Sequence, residues 1–327
     1  MKRQNTSLWL GLLLFTAMIA DCTVPAQSTG MLLPNDAVTP TITMTPMLTG
    51  TVTVPIPTNT STAISTLPLQ DASERLLDLL SNNGGCRLPC LWGITPGEST
   101  PQEAQTLWAP LSGISSNILT SRPLFTFDKG FVYPAYVEGD LMLKTEASYH
   151  SNNQVVSHID FYAREQKKFV PSTGGWGLLS IFDSTTFGER VEYYSLAHLL
   201  SEQGVPTSVM IITSGPPQIY EGGGGFEIIL SYPDKGIWVK YTTQQHIGAS
   251  GKVRGCPANA HIEMELFPSG DAVSFYAVLG KTHAELSDGW YKPLEEATSM
   301  TLDQFYEIFR QPTDKCIETP ANLWPTP

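Results

Sequence analysis

The residues best equipped for chemistry are five cysteines. Cys22 closes an apolar leader and is taken up below, which leaves Cys86, Cys90, Cys256 and Cys316. An even number of thiols in an exported chain pairs as disulfides, here in one of three connectivities. We favour Cys86–Cys90 and Cys256–Cys316. Pro89, inside the first loop, bends the chain back on itself. Closing that short loop contributes about 2 kcal/mol, and closing the span from Cys256 to Cys316 contributes about 4 kcal/mol. The other reading of Cys86 and Cys90 is a redox pair. Dithiol oxidoreductases keep two residues between the thiols, whereas Arg87, Leu88 and Pro89 intervene here. No thioredoxin-like βαβ pattern surrounds them, so structural stapling is the reading kept.

Other chemistries lack their patterns. His150, His158, His198, His246, His261 and His283 show no paired metal-ligand spacing along the chain, so no metal site is expected. No Gly-x-Ser-x-Gly nucleophile turn occurs. Gly248 to Val253 lacks the spacing and terminal hydroxyl residue of a phosphate-binding loop. The glycine run 222–225 precedes a strand, which offers phosphate no helix N-terminus. Glu138 and Asp140 flank a glycine turn, where solvated charges are ordinary. We therefore assign no catalytic, cofactor-binding or metal-binding residue and expect no cofactor. Trp92 and Trp324 are candidate binding aromatics, although such residues more often pack on disulfides.

The formal charge is −12, and removing residues 1–21 leaves 17 basic against 30 acidic residues. Such a chain is repelled by phosphate backbones, so nucleic acid is excluded as a partner. Lys2 and Arg3 precede an uncharged, mostly apolar run from Leu8 to Ala20. As a helix that run rises about 20 Å, short of a bilayer core of about 30 Å, and reads as a signal-peptide core over residues 1–21. It ends Ile19-Ala20-Asp21-Cys22 and resembles a bacterial lipoprotein signal, in which the cysteine is lipidated and begins the mature chain. Asp21 stands where such signals carry Gly or Ala, and an uncleaved N-terminal anchor is the alternative. Either way the expected location is the outer face of the bacterial cell membrane, extracytoplasmic and tethered.

Residues 22–70 read as a disordered stalk. Between 23 and 69 there are 13 Thr, 7 Pro and a single charge, Asp36. Prolines at this density leave neither helix nor sheet enough donors, and the chain extends.

The elements that must position any site begin at Asp71. A helix with Leu76, Leu77, Leu79 and Leu80 on one stripe ends at Gly84-Gly85. Thr100-Pro101-Gln102-Glu103 is a capping box that opens a second helix burying Ala104, Leu107 and Trp108. Strands follow at 125–137, 141–149 and 155–162, the last two joined across Ser151-Asn152-Asn153. Ser195 caps a short helix presenting Leu196, Leu199 and Leu200. Strands at 207–213, 226–232 and 237–242 follow, with a turn at Pro233-Asp234-Lys235-Gly236, then strands at 261–267 and 273–279. Thr301 caps a final helix that buries Leu302, Phe305, Tyr306 and Phe309. The helices after Ser195 and Thr301 align without a gap, from their caps through to Pro206 and Pro312. The expected fold is α+β: short capped helices, each followed by an antiparallel meander, in one or two disulfide-stapled units. Taken as two, they span 71–190 and 191–327.

Two resemblances bear on this. Residues 85–97, GCRLPCLWGITPG, and the C-terminal LDQFY, CIETP and LWP segments resemble uncharacterised exported lipoproteins of Chloroflexota bacteria over roughly residues 75–327. That implies an envelope location and assigns no activity. More loosely, the helix-then-meander grammar over about 94–245 resembles the fold shared by small envelope-assembly lipoproteins and β-lactamase inhibitor proteins. That likeness implies a binding module without an active site. The expectation is a non-enzymatic module that meets an envelope protein or glycan partner. The alternative is an exported hydrolase whose carboxylates or histidines converge only on folding.

Overall fold

A computed structural model describes residues 67–114, 124–125, 128–169, 177–182, 184–213, 225–248, 251–271 and 291–324. All of these belong to one unit, Thr60–Pro327. Cys22, the stalk as far as residue 66 and the strand expected at 273–279 lie outside the described residues, while Leu69 and Gln70, expected in the stalk, belong to the first helix. Among the described residues no helix is long and apolar enough to cross a membrane.

Helix α1 (Leu69–Asn82) starts behind Pro68, two residues before the expected start, and buries Ala72, Leu76, Leu79 and Leu80. It ends because Asn83 adopts a left-handed conformation (φ 56°), from which its N–H reaches back to the Leu79 carbonyl. Helix α2 (Pro101–Trp108) carries the expected capping box between Thr100 and Glu103. Ala104 and Trp108 are buried, but Leu107 is 47% exposed, against expectation. At 100° per residue the stripe through 104 and 108 leaves 107 well off its centre. Helices α3 (Thr185–Arg190) and α4 (Leu196–Gln203) are capped by Ser184 and Ser195. Helix α5 (Leu294–Thr298) precedes α6 (Leu302–Phe309), whose Thr301–Gln304 capping box is also as expected. In α6 Phe305 and Phe309 are buried, whereas Leu302 and Tyr306 are only half covered.

The strands are β1 (Leu124–Phe125), β2 (Lys129–Val132), β3 (Ala135–Glu138), β4 (Leu141–Asn152), β5 (Val155–Phe169) and β6 (Gly177–Ser180) in the first half. In the second half they are β7 (Ser208–Thr213), β8 (Gly225–Tyr232), β9 (Ile237–Gln244), β10 (His246–Ile247), β11 (Lys252–Gly255), β12 (His261–Leu266), β13 (Lys292–Pro293) and β14 (Ile317–Pro320). Eleven of them form one antiparallel sheet ordered β1-β2-β4-β5-β12-β9-β8-β7-β13, with β3 on β4 and β6 on β5. The remaining three form a small sheet, β10-β11-β14.

Local chemistry explains the breaks. The single strand expected over 125–137 is three: the chain reverses between β1 and β2, which pair antiparallel, and breaks again at Pro134, which has no N–H to give a ladder. Its carbonyl instead accepts from both the backbone N–H and the hydroxyl of Thr145. The β4–β5 turn falls on Asn153 and Gln154, both at positive φ (52° and 68°), one residue later than expected. Two consecutive positive-φ residues give a hairpin turn whose twist suits the strands it joins.

Strands β5 and β12 pair directly, Ile159 to Ala163 against Leu266 to Ile262. The sheet therefore runs unbroken across residue 190. Both cysteine pairs expected above are joined, with Cα separations of 5.9 Å for Cys86–Cys90 and 4.1 Å for Cys256–Cys316. Asn83 fills the first loop. Its amide donates to the carbonyls of Cys86 (2.9 Å) and Cys90 (2.7 Å). Its oxygen accepts from the Trp92 N–H (3.1 Å) and the Tyr194 hydroxyl (2.8 Å). A buried amide with four partners ties α1, the loop and the segment before α4 into one polar joint.

Candidate functional site

Side chains alternate across a strand, so each strand of the large sheet feeds two different environments. Ala147 and Tyr149 of β4, Phe161 and Ala163 of β5, and Ile262 and Met264 of β12 face the helices and are at most 1% exposed. Their neighbours face the other way. Register places Ser148, Asp160, Glu265 and Trp238 in one row across β4, β5, β12 and β9. The next row is Glu146, Tyr162, Glu263 and Lys240.

On this second face a depression of about 490 Å³ is lined by Glu146, Ser148, Asp160, Tyr162, Arg164 and Glu263, with Glu265 beside them. The Arg164 guanidinium lies over the Tyr162 ring, 5.0 Å from its centroid. Lys240 pairs with Glu263 at 2.6 Å. Beyond Lys240 the face turns apolar, with Ile229, Trp238 and Phe267 packed together and flanked by Met210, Ile212 and Tyr291.

The charges perturb one another in opposite senses. Burial raises the Glu146 carboxyl, against the pull of Lys144, and Asp160 adds to the rise. Burial lowers Lys144, helped by Arg164. Burial pulls Lys240 down too, but Glu227 and Glu263 outweigh it and hold the ammonium above its usual range. Asp160 is also pushed up by burial, yet hydrogen bonds from His150 and Ser148 and the nearness of His158 leave it below the ordinary carboxylate value. Two carboxyl groups of one depression are thus shifted apart.

At the end of the depression stand two histidines that spacing along the chain did not bring together. His150 and His158 are register partners on β4 and β5. Their rings stack at 4.1 Å with an interplanar angle of 6°. His150 Nε2 lies 3.5 Å from Asp160 Oδ2, and Ser148 donates to the same oxygen at 2.9 Å. One ligand-type atom from each of His150, His158 and Asp160 falls within 4.8 Å of the others. The one signal in the sequence is symmetry: the two histidines are equidistant from the hairpin turn, give or take the register shift after His150.

Trp92 and Trp324, the candidate binding aromatics, are 3% and 4% exposed and present no ring face to a ligand. Trp92 packs edge-on against Trp108 and Phe161, and its indole N–H donates to the Tyr194 hydroxyl at 2.9 Å. Trp324 donates to Thr319 at 3.2 Å. Both are core residues, whereas the partly buried ring of Tyr162 lines the depression on the open face. Glu138 does not stay a merely solvated charge, for it pairs with Arg190 of α3.

A second, larger cavity of about 660 Å³ lies where α3, α4 and residues 309–314 meet, beside the Cys256–Cys316 bridge. Part of its polar lining is engaged in local structure. The Ser195 hydroxyl caps α4 through the His198 N–H, and Arg310 pairs with Glu307. The open sheet face concentrates charge that no cap or turn requires, and it is the stronger candidate. Compared with known proteins, the chain matches no family model, no curated protein and no solved structure.

Proposed function

We propose that the protein is a non-enzymatic binding module that grips an envelope protein with the open face of its sheet. It is carried outside a bacterial membrane by a lipid on Cys22 and a Thr/Pro-rich stalk. The observation that supports this most is the placement of Glu146, Tyr162, Arg164 and Glu263 on alternate positions facing away from the core. Those positions have no part in covering the core, and polar groups there are free to vary with a partner. An arginine lying on a tyrosine beside a polar depression is the kind of centre that carries interface energy.

The arrangement also reads as two units meeting at a seam. Helix α2 leads into β2, β4 and β5; helix α4 leads into β7, β8, β9 and then β12; β5 of the first pairs with β12 of the second. On this reading the units are tandem capped-helix meanders that build one recognition face.

The test is crosslinking of the tagged full-length protein in its native membrane, with mass spectrometry of the captured species. A single near-stoichiometric envelope protein, lost in a Tyr162→Ala, Arg164→Ala variant, is the expected result. Capture that survives that variant would move the site elsewhere.

A second reading, an exported hydrolase acting on cell-wall or glycan substrates, is favoured by one observation. Glu146 is raised while Asp160 is lowered within the same depression, as an acid and its charged companion would be. Release of soluble fragments from peptidoglycan, abolished by Glu146→Gln, would establish it in place of the first.

A further inference from the structure

We infer that His150, His158 and Asp160 form a binding site for a divalent zinc-class metal ion. The inference does not depend on what the rest of the face binds.

Two imidazoles and one carboxylate are the donor set preferred by borderline ions such as Zn²⁺, and a poor one for Mg²⁺ or Ca²⁺, which take oxygen. The geometry is close to what that ion needs. Tetrahedral zinc with bonds near ~2.1 Å holds neighbouring ligand atoms about 3.4 Å apart. His150 Nε2 and Asp160 Oδ2 already stand at 3.5 Å. One ligand-type atom from each of the three residues lies within 4.8 Å of the others, and sharing an ion requires one of the stacked rings to turn so that both in-plane lone pairs aim at it.

The supports that a ligand set requires are also in place. Ser148 orients the Asp160 carboxylate from the neighbouring strand (2.9 Å). Phe267 also stacks on the His158 ring, 5.8 Å between centroids and 16° between planes, so the more exposed His150 is the ring with room to turn. All three donors sit on the β4–β5 ladder, the longest pairing in the sheet, and not on loops. Three protein donors leave at least one position for water or for an outside group, as in open metal sites. His150 is half exposed, so the ion has an entry path.

Titrating the detergent-solubilised full-length protein with ZnCl₂ in a calorimeter tests this, with CoCl₂ as a spectroscopic probe of coordination. The expected result is one ion per chain, with the visible bands of four- or five-coordinate Co²⁺. Binding should be lost in His158→Gln and in Asp160→Asn, and weakened about tenfold in Ser148→Ala, which keeps every ligand. His246→Ala, outside the cluster, should bind as the parent does. If His158→Gln fails to fold, His150→Ala at its more open position reads out the same loss. Absence of stoichiometric binding, or binding unchanged in a folded His150 or His158 variant, overturns the inference.

Discussion

The two faces of the large sheet are built from the same strands and obey different rules. On β5, Phe161 is buried to 1% and touches Trp92 and Tyr194. Its chain neighbour Tyr162 faces the open depression under Arg164. One peptide bond separates a residue that holds the fold from one that the fold holds out. The covered face is mostly apolar, with Thr145 and Glu165 its buried polar members, and tolerates little change in volume. The open face carries paired and stacked polar groups whose removal should leave the core intact. On the proposed reading, stability and recognition fall on alternate residues, and each can be altered without the other.

The sharpest way to break this comparison is at that pair. Phe161→Ala should cost about 3–5 kcal/mol in a urea unfolding series, by lost burial and the cavity left behind. Tyr162→Ala should cost less than about 1 kcal/mol. Comparable losses at both positions would mean that the open face is structural. Asn83→Ala comes next, at about 2–4 kcal/mol, because two carbonyls, an N–H and a hydroxyl lose their buried partner together. Lys240→Met removes a pair that is mostly covered yet keeps contact with solvent, and should change stability by no more than about 1–2 kcal/mol. A larger drop by calorimetry would show that Lys240 anchors the sheet.

The smallest effect is in pH. The hydrogen bond to Asp160 raises His150, whereas burial lowers His158. In an NMR titration of metal-free protein, His150 should therefore take up its proton at higher pH than His158, and Asp160→Asn should narrow the gap. The signs for stability follow. A histidine raised on folding stabilises below its unfolded pKa, and that contribution is lost as pH rises through the folded value. Asp160, lowered on folding, stabilises above the ordinary carboxylate pKa and loses this as pH falls through its folded value. Asp160→Asn should thus be most damaging between the carboxylate and histidine ranges, by under about 1 kcal/mol given the half-exposed His150. It should matter less above the histidine range.

Much of the fold was legible because its signals are local. The caps at Thr100, Ser195 and Thr301, the Pro233–Gly236 turn and the β8–β9 alternation each act within a few residues. Both cysteine pairings followed from loop length and parity. What stayed hidden is non-local. Nothing in residues 159–163 announces that they pair with 262–266, because strand pattern gives a face and not a neighbour. The small sheet was missed because β10, β11 and β14 are two to four residues long and acquire strand character only from one another. The His150, His158 and Asp160 cluster needs cross-strand register, which spacing along one strand cannot report. Trp92 and Trp324 read as binding aromatics or, as such residues more often are, packing residues, and both are buried.

The β5–β12 seam has a consequence for how the chain can be divided. Strand β5 spans fifteen residues, Val155–Phe169. With β12 absent, Ile159 to Ala163 would offer unpaired N–H and C=O groups along a stretch rich in apolar side chains, a template for sheet growth between molecules. Each half of the head therefore serves as the other's shield against aggregation. A fragment ending near residue 190 should be recovered as insoluble material, whatever the sequence says about units. Evolution of one half must also keep step with the other along five residue pairs.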